Sequence, residues 1–231
     1  MKSSYIFAAK RTAISSFQGS LSGLTAPKIA APVVNQITES LGIKNDVQEL
    51  YMGCVLTAGI GQAPARQVAL GAGLPQGIPS TTIGKVCGSG LKPVMLADLS
   101  IKAEEADLII AGGMESMSQS PYILPKIRNG LRLGNGELID SMIKDGLWDV
   151  YNDYHMGTAA ELCVKKYSFT REEQDAYAAE SYVRAQKAIA AGEFKNEIIP
   201  IEIKSKKGST FFEVDEEASK FDAEKSKKLK A

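Results

Sequence analysis

The stretch STTIGKVCGSGLKPVMLADLSIKAEEADLIIAGG, residues 80–113, predicts a strand, a glycine-rich turn, a helix and a second strand. Its first part is β-rich, the part after the glycines is typical of a helix, and its last part is an apolar run that ends in two glycines. A strand, a helix and a strand in succession form the unit from which parallel sheets are built. Cys87 lies in the turn between the first strand and the helix.

The segments before residue 80 show the same alternation. They predict, in order, a strand SYIFAA, a helix APKIAAPVVNQITESLG that ends at Gly42, a strand LYMGCVL and a helix APARQVALGAG. We therefore expect an α/β fold with a mostly parallel or mixed sheet. Since DLIIAGG shows no polar alternation, we expect strands that are buried on both faces.

The character of the sequence changes after Glu115. The next segment is rich in Gly, Asn, Asp and Pro, which indicates an inserted lobe of loops and short helices. Two stronger helices follow, one over residues 156–167 and one that begins at a capping box of Thr170 and Glu173 and runs to Gly192.

The segments IIPIEIK and TFFEVDEE, with the turn signal KKGS between them, predict a hairpin. The last stretch, EASKFDAEKSKKLKA, is typical of a solvated helix or a frayed end. We divide the chain into an incomplete α/β core over residues 1–116 and an inserted loop and substrate-binding domain over residues 117–231.

The composition argues against several functional classes. The 231 residues carry 27 basic and 27 acidic side chains, so the net charge of zero favours neither nucleic acid nor a membrane surface as a partner. No run of about 18 apolar residues predicts a membrane span. The three cysteines include no CxxC pair, which argues against a disulfide framework or a zinc site and favours a reducing, cytoplasmic compartment. Cys54 and Cys163 are interpreted as core or near-core residues.

Cys87 has two interpretations. A cysteine attacks as its thiolate, and a helix that begins directly after it favours a negative sulfur through its unpaired N–H groups and its dipole. Gly88 and Gly90 permit a tight turn and the close approach of a substrate, Ser89 is expected to cap the helix, and the N–H groups suit an oxyanion. Free cysteines are also common in buried strands, so these residues leave both a nucleophile and a small apolar residue open.

Four blocks of the sequence carry a family resemblance: KVCGSGLK, ADLIIAGGMESMSQSPY, YHMGTAAE and TREEQDAYAAESYVRAQKA. In this order they resemble the N-terminal half of a thiolase of the acetyl-CoA acetyltransferase type, and the similarity runs from AAKRTAISSFQGSLSGL to FFEVDEE. The resemblance implies a βαβαβαββ core with an inserted α-rich loop domain, the second core half being absent.

The resemblance also implies roles for individual residues. Cys87 would be acylated by an acyl-CoA and would pass the acyl group to the α-carbon of a second acyl-CoA, or the reverse. His155 and Met156 would lie near the acyl group and the pantetheine arm, and Leu147 would line the pantetheine tunnel. His155 also has a purely structural interpretation as a hydrogen-bonded loop residue. Coenzyme A thioesters would be substrates, with no tightly bound cofactor and no metal, and the protein would form homo-oligomers or pair with a complementary C-terminal half.

Three features depart from the family pattern, and one of them is Gly84, which stands where asparagine is usual. The segment EEASKFD replaces a pattern that often carries a proline and an arginine, the arginine lying against the adenine of coenzyme A. We expect Lys220 to act there as a weak point charge that does not stack. Pro93 stands where alanine is usual, and a proline is accepted in a helix only within the first turn.

The family completes its site with Gly-His-Pro, Asn-Glu-Ala-Phe and Cys-x-Gly blocks, and none of them occurs in these 231 residues. We therefore expect this polypeptide alone to catalyse no acetyl transfer and to expose apolar surface where a second half would pack. Three interpretations stay open: the N-terminal segment of a split or truncated thiolase, a non-catalytic assembly subunit, and a related condensing enzyme. The blocks GGMESMS and HMGTAAE favour a thiolase over the last of these.

Overall fold

The computed structural model of the chain describes residues 2–206 and 208–226. These residues group into two compact units. The first contains the residues up to Ala9 together with Ser22–Leu147, and the second contains Lys10–Leu21 together with the residues from Trp148 onward. The predicted boundary between residues 116 and 117 separates a core from an inserted domain, which is a different division from the one into two compact units. The division into a core and an inserted domain stays a prediction.

A three-stranded parallel sheet forms the centre of the first unit. Gly53 pairs with Ile83 on one side and with Gly113 on the other, so the strands end at a common edge. This sheet confirms the predicted α/β class. The strands, in the spatial order β2-β1-β3, are β1 (Glu49–Gly53), β2 (Ser80–Ile83) and β3 (Ile109–Gly113).

Three helices of the first unit lie where the sequence predicts them. The first helix ends at Gly42, which has φ +66°, a left-handed conformation that glycine adopts without strain. Pro93 is the third residue of the third helix, where its missing N–H removes no intrahelical bond. The helices are α1 (Ala26–Leu41), α2 (Pro64–Gly71) and α3 (Leu91–Lys102).

The core of the first unit surrounds the central strand. Leu50 of β1 is fully buried, whereas the residues of β2 and β3 are mostly half-buried. The prediction that the strands are buried on both faces is therefore wrong for these two, which lie at the edges of the sheet formed by the described residues. The buried cluster consists of Ala26, Ala30, Val34, Val47, Leu50, Met52, Cys54, Ala65, Val68, Ala69, Ala72, Leu74, Ile78 and Met114.

The segment SYIFAA does not form the predicted strand. Tyr5 and Ile6 are about four-fifths exposed and Phe7 is 62% exposed. Among the described residues no other strand pairs with this segment. A segment of β-forming residues becomes a strand only when a neighbouring strand supplies hydrogen-bond partners for its backbone. The composition of SYIFAA was therefore not sufficient to predict a strand.

The remainder of the first unit is irregular, as the Gly- and Pro-rich sequence predicts. Two short antiparallel strands, β4 (Tyr122–Ile123) and β5 (Ile139–Asp140), enclose a loop. A π-helical segment, Met142–Leu147, ends the unit.

The second unit confirms both predicted helices and the hairpin. Thr170 caps the longer helix and Glu173 reaches back to it, which is the predicted capping box. The elements are the antiparallel pair β6 (Trp148–Asp149) and β7 (Tyr154–His155), the helices α4 (Met156–Tyr167) and α5 (Arg171–Ala191), the hairpin β8 (Ile201–Ser205) and β9 (Gly208–Phe212), and two short helices, α6 (Glu216–Ser219) and α7 (Ala223–Ser226).

Neither α4 nor α5 contains a buried residue. Cys163 lies on α4 and is exposed, so its predicted core position is wrong, because nothing in the described part of the chain covers that face of the helix. The predicted solvated helix at the end of the chain is present as far as Ser226, and residues 227–231 lie outside the described range. Of the helices within residues 2–206 and 208–226, none is both long enough and apolar enough to cross a bilayer.

Candidate active site

Cys87 lies in the turn that joins β2 to α3. A 3₁₀ turn spans Val86–Gly88, and α3 begins at Leu91. Ser89 and Gly90, between these segments, also have helical backbone angles, so the chain enters α3 without a break. The predicted position of Cys87 directly before a helix is confirmed. Cys87 is also exposed, which makes the strand-end core interpretation wrong and leaves the thiol accessible to a substrate.

The residue before Cys87 is strained. Val86 has φ +45°, a left-handed conformation that β-branched residues rarely adopt and that costs about 1–3 kcal/mol. Its side chain is 56% exposed, so burial contributes little to holding it there. Two backbone hydrogen bonds enclose it: Gly88 N–H donates to Lys85 O, and Ser89 N–H donates to Val86 O, each at 3.0 Å. The strained residue, Val86, thus directly precedes the residue that carries the exposed thiol, Cys87.

The prediction that Ser89 caps α3 is wrong. The Ser89 hydroxyl turns back toward the strand, where it accepts a hydrogen bond from Lys85 N–H at 2.8 Å and donates one to Val86 O at 2.7 Å. The capping position of α3 is Gly90, which has no side chain to offer. The left-handed conformation of Val86 bends the chain, so Lys85 N–H and Val86 O lie within hydrogen-bond distance of the Ser89 hydroxyl. The hydroxyl bonds to these groups rather than to the N–H groups of α3.

Two glycines outside the turn give it the space to pack on the sheet. A Cβ added to Gly53, at the end of β1, would lie 1.9 Å from the backbone oxygen of Ser89. A Cβ added to Gly113, at the end of β3, would lie 2.9 Å from Gly90 Cα. By contrast, a Cβ on Gly88 would meet only ordinary contacts. The sequence signal for these packing positions is the glycine that ends each of the segments YMG and IIAGG, and the residues of the turn itself do not indicate it.

Cys54 lies at the same edge of the sheet in a different environment. It follows β1, is buried, and its thiol donates to Glu115 Oε1 at 3.5 Å. Burial raises the pKa of the Cys54 thiol to about 12, and the negative charge of Glu115 adds to the effect. Glu115 is fixed there because it also accepts the N–H groups of Val55 at 2.8 Å and Leu56 at 3.1 Å. The predicted core position of Cys54 is confirmed.

His155 and Met156 lie at the start of α4 in the second unit. The Nδ1 atom of His155 accepts a hydrogen bond from Gly157 N–H at 2.9 Å, so the side chain caps the helix. A neutral ring that accepts at Nδ1 carries its proton on Nε2. Met156 is the first residue of α4 and is 40% exposed. Leu147, half-buried, is the last residue of the π-helical segment in the first unit.

Lys220 lies directly after α6 in the second unit. Its ammonium donates to the hydroxyl of Ser16 and pairs with Glu217 at 3.1 Å. These partners place the charge of Lys220 beside the Ser16 loop.

Glu216 holds the same loop by hydrogen bonds. Its carboxylate accepts Ser16 N–H at 2.7 Å and the hydroxyls of Ser15 and Ser20. Partial burial by itself would raise the pKa of Glu216, but the hydrogen bonds from Ser20, Ser16 and Ser15 outweigh it and hold the pKa at about 2. The carboxylate is therefore an internal anion that this loop binds firmly.

The structure brings one group of predicted site residues together. Cys87, Gly88, Ser89 and Gly90 form a single turn in the first unit. The remaining predicted residues lie in separate elements: Leu147 belongs to the first unit, and His155, Met156 and Lys220 belong to the second. Their contacts with a ligand stay predictions.

An exposed thiol at the carboxyl edge of a parallel sheet, directly before a helix, defines an α/β protein with a candidate nucleophilic cysteine. Residues 4–231 match the family model described as Thiolase, N-terminal domain, and the chain belongs to this family.

Over the aligned regions, about half of the residues of the curated relatives are identical to those of this chain. An acetyl-CoA acetyltransferase from Pseudomonas aeruginosa is 51% identical over 219 residues, which are 94% of this chain and 56% of the relative. Acetyl-CoA acetyltransferase 1 from Arabidopsis thaliana is 48% identical over 223 residues, 95% of this chain and 54% of the relative. A relative from Gibberella zeae, named as cytosolic, is 46% identical over 98% of this chain and 58% of its own length. The chain thus spans about half the length of the curated relatives it matches.

Proposed function

We propose that this chain supplies the acyl-accepting cysteine of an acetyl-CoA acetyltransferase, and that Cys87 is that cysteine. The observation that carries the proposal is the exposed thiol of Cys87 on a strained turn in front of α3. Neither other cysteine has this combination, since Cys54 is buried and Cys163 lies within α4. The names of the relatives support acetyl-CoA as the substrate.

In the proposed first step the Cys87 thiolate attacks the carbonyl carbon of an acyl-CoA. The bond from that carbon to the coenzyme A sulfur breaks, the acyl group stays on Cys87 as a thioester, and coenzyme A leaves as a thiolate that takes up a proton. Gly88 N–H and Ser89 N–H already donate to backbone oxygens of the turn, so they are not the expected oxyanion donors. We propose instead that the dipole at the start of α3 favours negative charge on the carbonyl oxygen in this step. In the second step the α-carbon of another acyl-CoA loses a proton and forms a bond to the acyl carbonyl carbon, while the bond from that carbon to the Cys87 sulfur breaks and Cys87 returns to a thiolate. The two steps also run in reverse.

We assign substrate contacts to residues outside the turn. Leu147 would contact the pantetheine arm, Met156 would contact the acyl group, and His155 would lie near these parts of the substrate. Lys220 would face the nucleotide end of coenzyme A. The His155 ring suits this position because its Nδ1 is already engaged with Gly157 N–H and its Nε2–H is left to donate. Coenzyme A thioesters act as substrates here, and we propose no tightly bound cofactor.

The 231-residue polypeptide is proposed to accept an acyl group without completing the cycle. The carbon–carbon bond-forming step needs a group that removes the α-proton, and His155, its one histidine, caps α4. An apolar stripe on α3 favours a second polypeptide segment as the source of the missing groups: Leu91 is 74% exposed, and Met95 and Leu99 are each 61% exposed. These residues recur every fourth position and share one helix face.

This stripe also favours the alternative interpretation as one subunit of a split enzyme or of an assembly. A split enzyme predicts a companion chain that carries the Gly-His-Pro and Cys-x-Gly blocks and restores turnover when it is added. An assembly subunit predicts a companion without those blocks and no turnover. A cytoplasmic location is proposed for either form.

Release of coenzyme A tests the proposal. Acetyl-CoA is mixed with the purified chain, and free coenzyme A and acetoacetyl-CoA are separated and quantified. We expect a single release that approaches one coenzyme A per chain, with no sustained formation of acetoacetyl-CoA. Cys87→Ala should abolish the release, and Cys163→Ala, the matched control, should retain it. Equal release from the parent chain and from Cys87→Ala would contradict the proposal.

A further inference from the structure

The hydroxyl of Ser89 bridges the backbone on both sides of the strained residue in the Cys87 turn. The hydroxyl accepts a hydrogen bond from Lys85 N–H, on the residue before Val86. It donates a hydrogen bond to the carbonyl oxygen of Val86 itself, on the C-terminal side of the strained φ angle. Ser89 is only 5% exposed, so water does not compete freely for these groups. The two hydrogen bonds close a ring around Val86.

The strain at Val86 has to be balanced by contacts of the turn itself. A valine released from these bonds would relax to a negative φ, where its branched side chain avoids the backbone. Because Cys87 is the next residue, this relaxation would turn the direction of its Cα–Cβ bond relative to α3.

Ser89 is itself held firmly enough to act as an anchor. Its backbone oxygen occupies the space that a side chain on Gly53 would fill, at the end of the central strand. Its N–H donates to Val86 O at 3.0 Å. The hydroxyl therefore acts from a backbone that is fixed against β1.

We propose that Ser89 is a positioning residue, whose hydroxyl keeps Val86 in its left-handed conformation and thereby fixes the direction from which the Cys87 sulfur meets a thioester. This inference rests on the proposed function for its chemical consequence. Its structural part, the hold on Val86, is testable without any acyl transfer.

Amide hydrogen exchange of the intact chain tests the hold on the turn. Ser89→Ala removes the acceptor of one amide, Lys85 N–H, and leaves the backbone acceptors of Gly88 N–H and Ser89 N–H unchanged. If the hydroxyl holds the turn, all three amides exchange at least about tenfold faster in the variant. If Gly88 and the residue at 89 keep their parent rates while Lys85 alone changes, the proposal is overturned. Ser100→Ala, which removes a hydroxyl bonded to Tyr51 from the same helix, is the matched control and should leave all three rates unchanged.

A second substitution separates release of strain from general loosening. Glycine adopts a positive φ without strain, so Val86→Gly should make the turn independent of the hydroxyl. In the Val86→Gly background, adding Ser89→Ala should change the Gly88 and residue 89 exchange rates by less than about threefold. A full tenfold loss in that background would contradict the proposal. If Ser89→Ala alone does not fold, this background decides the question, and a double variant that also fails to fold would count against the proposal.

Acetylation separates this inference from the proposed function. If acetyl-CoA does not acetylate Cys87 in the parent chain, the proposed function fails, while the exchange rates still decide the role of Ser89. If it does, Ser89→Ala should slow acetylation about tenfold more than it slows alkylation of Cys87 by iodoacetamide, because the small reagent tolerates many approach directions. Equal slowing of the two reactions would show that Ser89 does not set the direction of the sulfur.

Discussion

Cys54 and Cys87 lie at the same edge of one parallel sheet, yet their surroundings oppose each other. Cys54 directly follows the central strand, is buried, and faces the carboxylate of Glu115. Cys87 follows the neighbouring strand by four residues, is exposed, and rests on a strained turn in front of a helix. The first environment keeps a thiol protonated, and the second leaves it accessible.

This difference shows that position at the carboxyl edge does not by itself make a cysteine reactive. What separates the two residues is the short segment 84–90, in which Ser89 packs over Gly53 at the end of β1 and Cys87 is exposed. Burial and a neighbouring carboxylate raise the cost of a negative sulfur at Cys54, whereas Cys87 is exposed and lies before the start of a helix.

The largest expected effect is the contrast in alkylation. In the folded chain we expect iodoacetamide to modify Cys87 at least about 100-fold faster than Cys54, because attack requires an accessible thiolate. Peptide mass analysis over time gives each rate, and Cys163, which is also exposed, serves as an internal standard. In concentrated urea the rates of Cys54 and Cys163 should converge. A Cys54 rate within a few-fold of the Cys87 rate in the folded chain would contradict the contrast.

Alkaline unfolding should reveal the buried thiol. The pKa of Cys54 in the folded chain, about 12, lies above its ordinary value of 9.0, so the folded state keeps this proton at pH values where the unfolded state releases it. The stability from the protonated thiol is fully present below pH 9 and is lost as the pH rises toward 12, by about 1.4 kcal/mol per pH unit for one proton. Denaturant titrations across this range should show the slope in the parent and in Cys163→Ala, and a smaller slope in Cys54→Ala. An equal slope in all three chains would be inconsistent with this account.

Filling the space under the Cys87 turn should destabilise the first unit. Gly53→Ala would place a methyl group 1.9 Å from the Ser89 oxygen, and overpacking of this kind costs about 1–3 kcal/mol. Gly90→Ala is the matched control, because it has helical backbone angles and a Cβ there meets nothing within 4 Å. Thermal unfolding should show a lower midpoint for the first variant and an unchanged or higher one for the second. Equal unfolding midpoints for the two variants, or a lower midpoint for Gly90→Ala than for Gly53→Ala, would rule out close packing at Gly53.

The smallest effect is expected at Glu115. Glu115→Gln removes the charge that faces Cys54, so the pKa of Cys54 should fall below 12 and stay above 9.0, since burial remains the larger cause. The thiolate absorbance of the Cys87→Ala, Cys163→Ala chain, with and without Glu115→Gln, follows this titration. Glu137→Gln, at an exposed position, is the control and should not change it.

The sequence predicted the elements whose signals are local. Apolar periodicity located α1, α2 and α3, the Thr170 and Glu173 pair located the start of α5, and glycine-containing turn residues located the hairpin. It failed where a distant segment decides the outcome. SYIFAA has the composition of a strand but finds no pairing strand among the described residues. Cys163 has the sequence setting of a core residue but is exposed on α4.

Local and distant contacts also differ in how far the sequence predicts them at the site. The role of Cys87 as a candidate nucleophile was predictable because its thiol and the residues that begin the next helix are close together in the sequence. The bonds of Ser89 and the need for glycine at position 53 arise only when the turn folds back over β1, across 36 residues of chain. No local pattern carries that information.

The most direct test of the central claim is the location of the acetyl group after exposure of the chain to isotopically labelled acetyl-CoA. Peptide mass analysis with hydroxylamine treatment, which removes thioesters, identifies the modified residue. We predict a hydroxylamine-sensitive acetyl group on Cys87, at least about tenfold more abundant at early times than on Cys163, since only Cys87 precedes a helix start. A label that appears equally on Cys163, or that Cys87→Ala fails to remove, would contradict the assignment of Cys87 as the acyl-carrying residue.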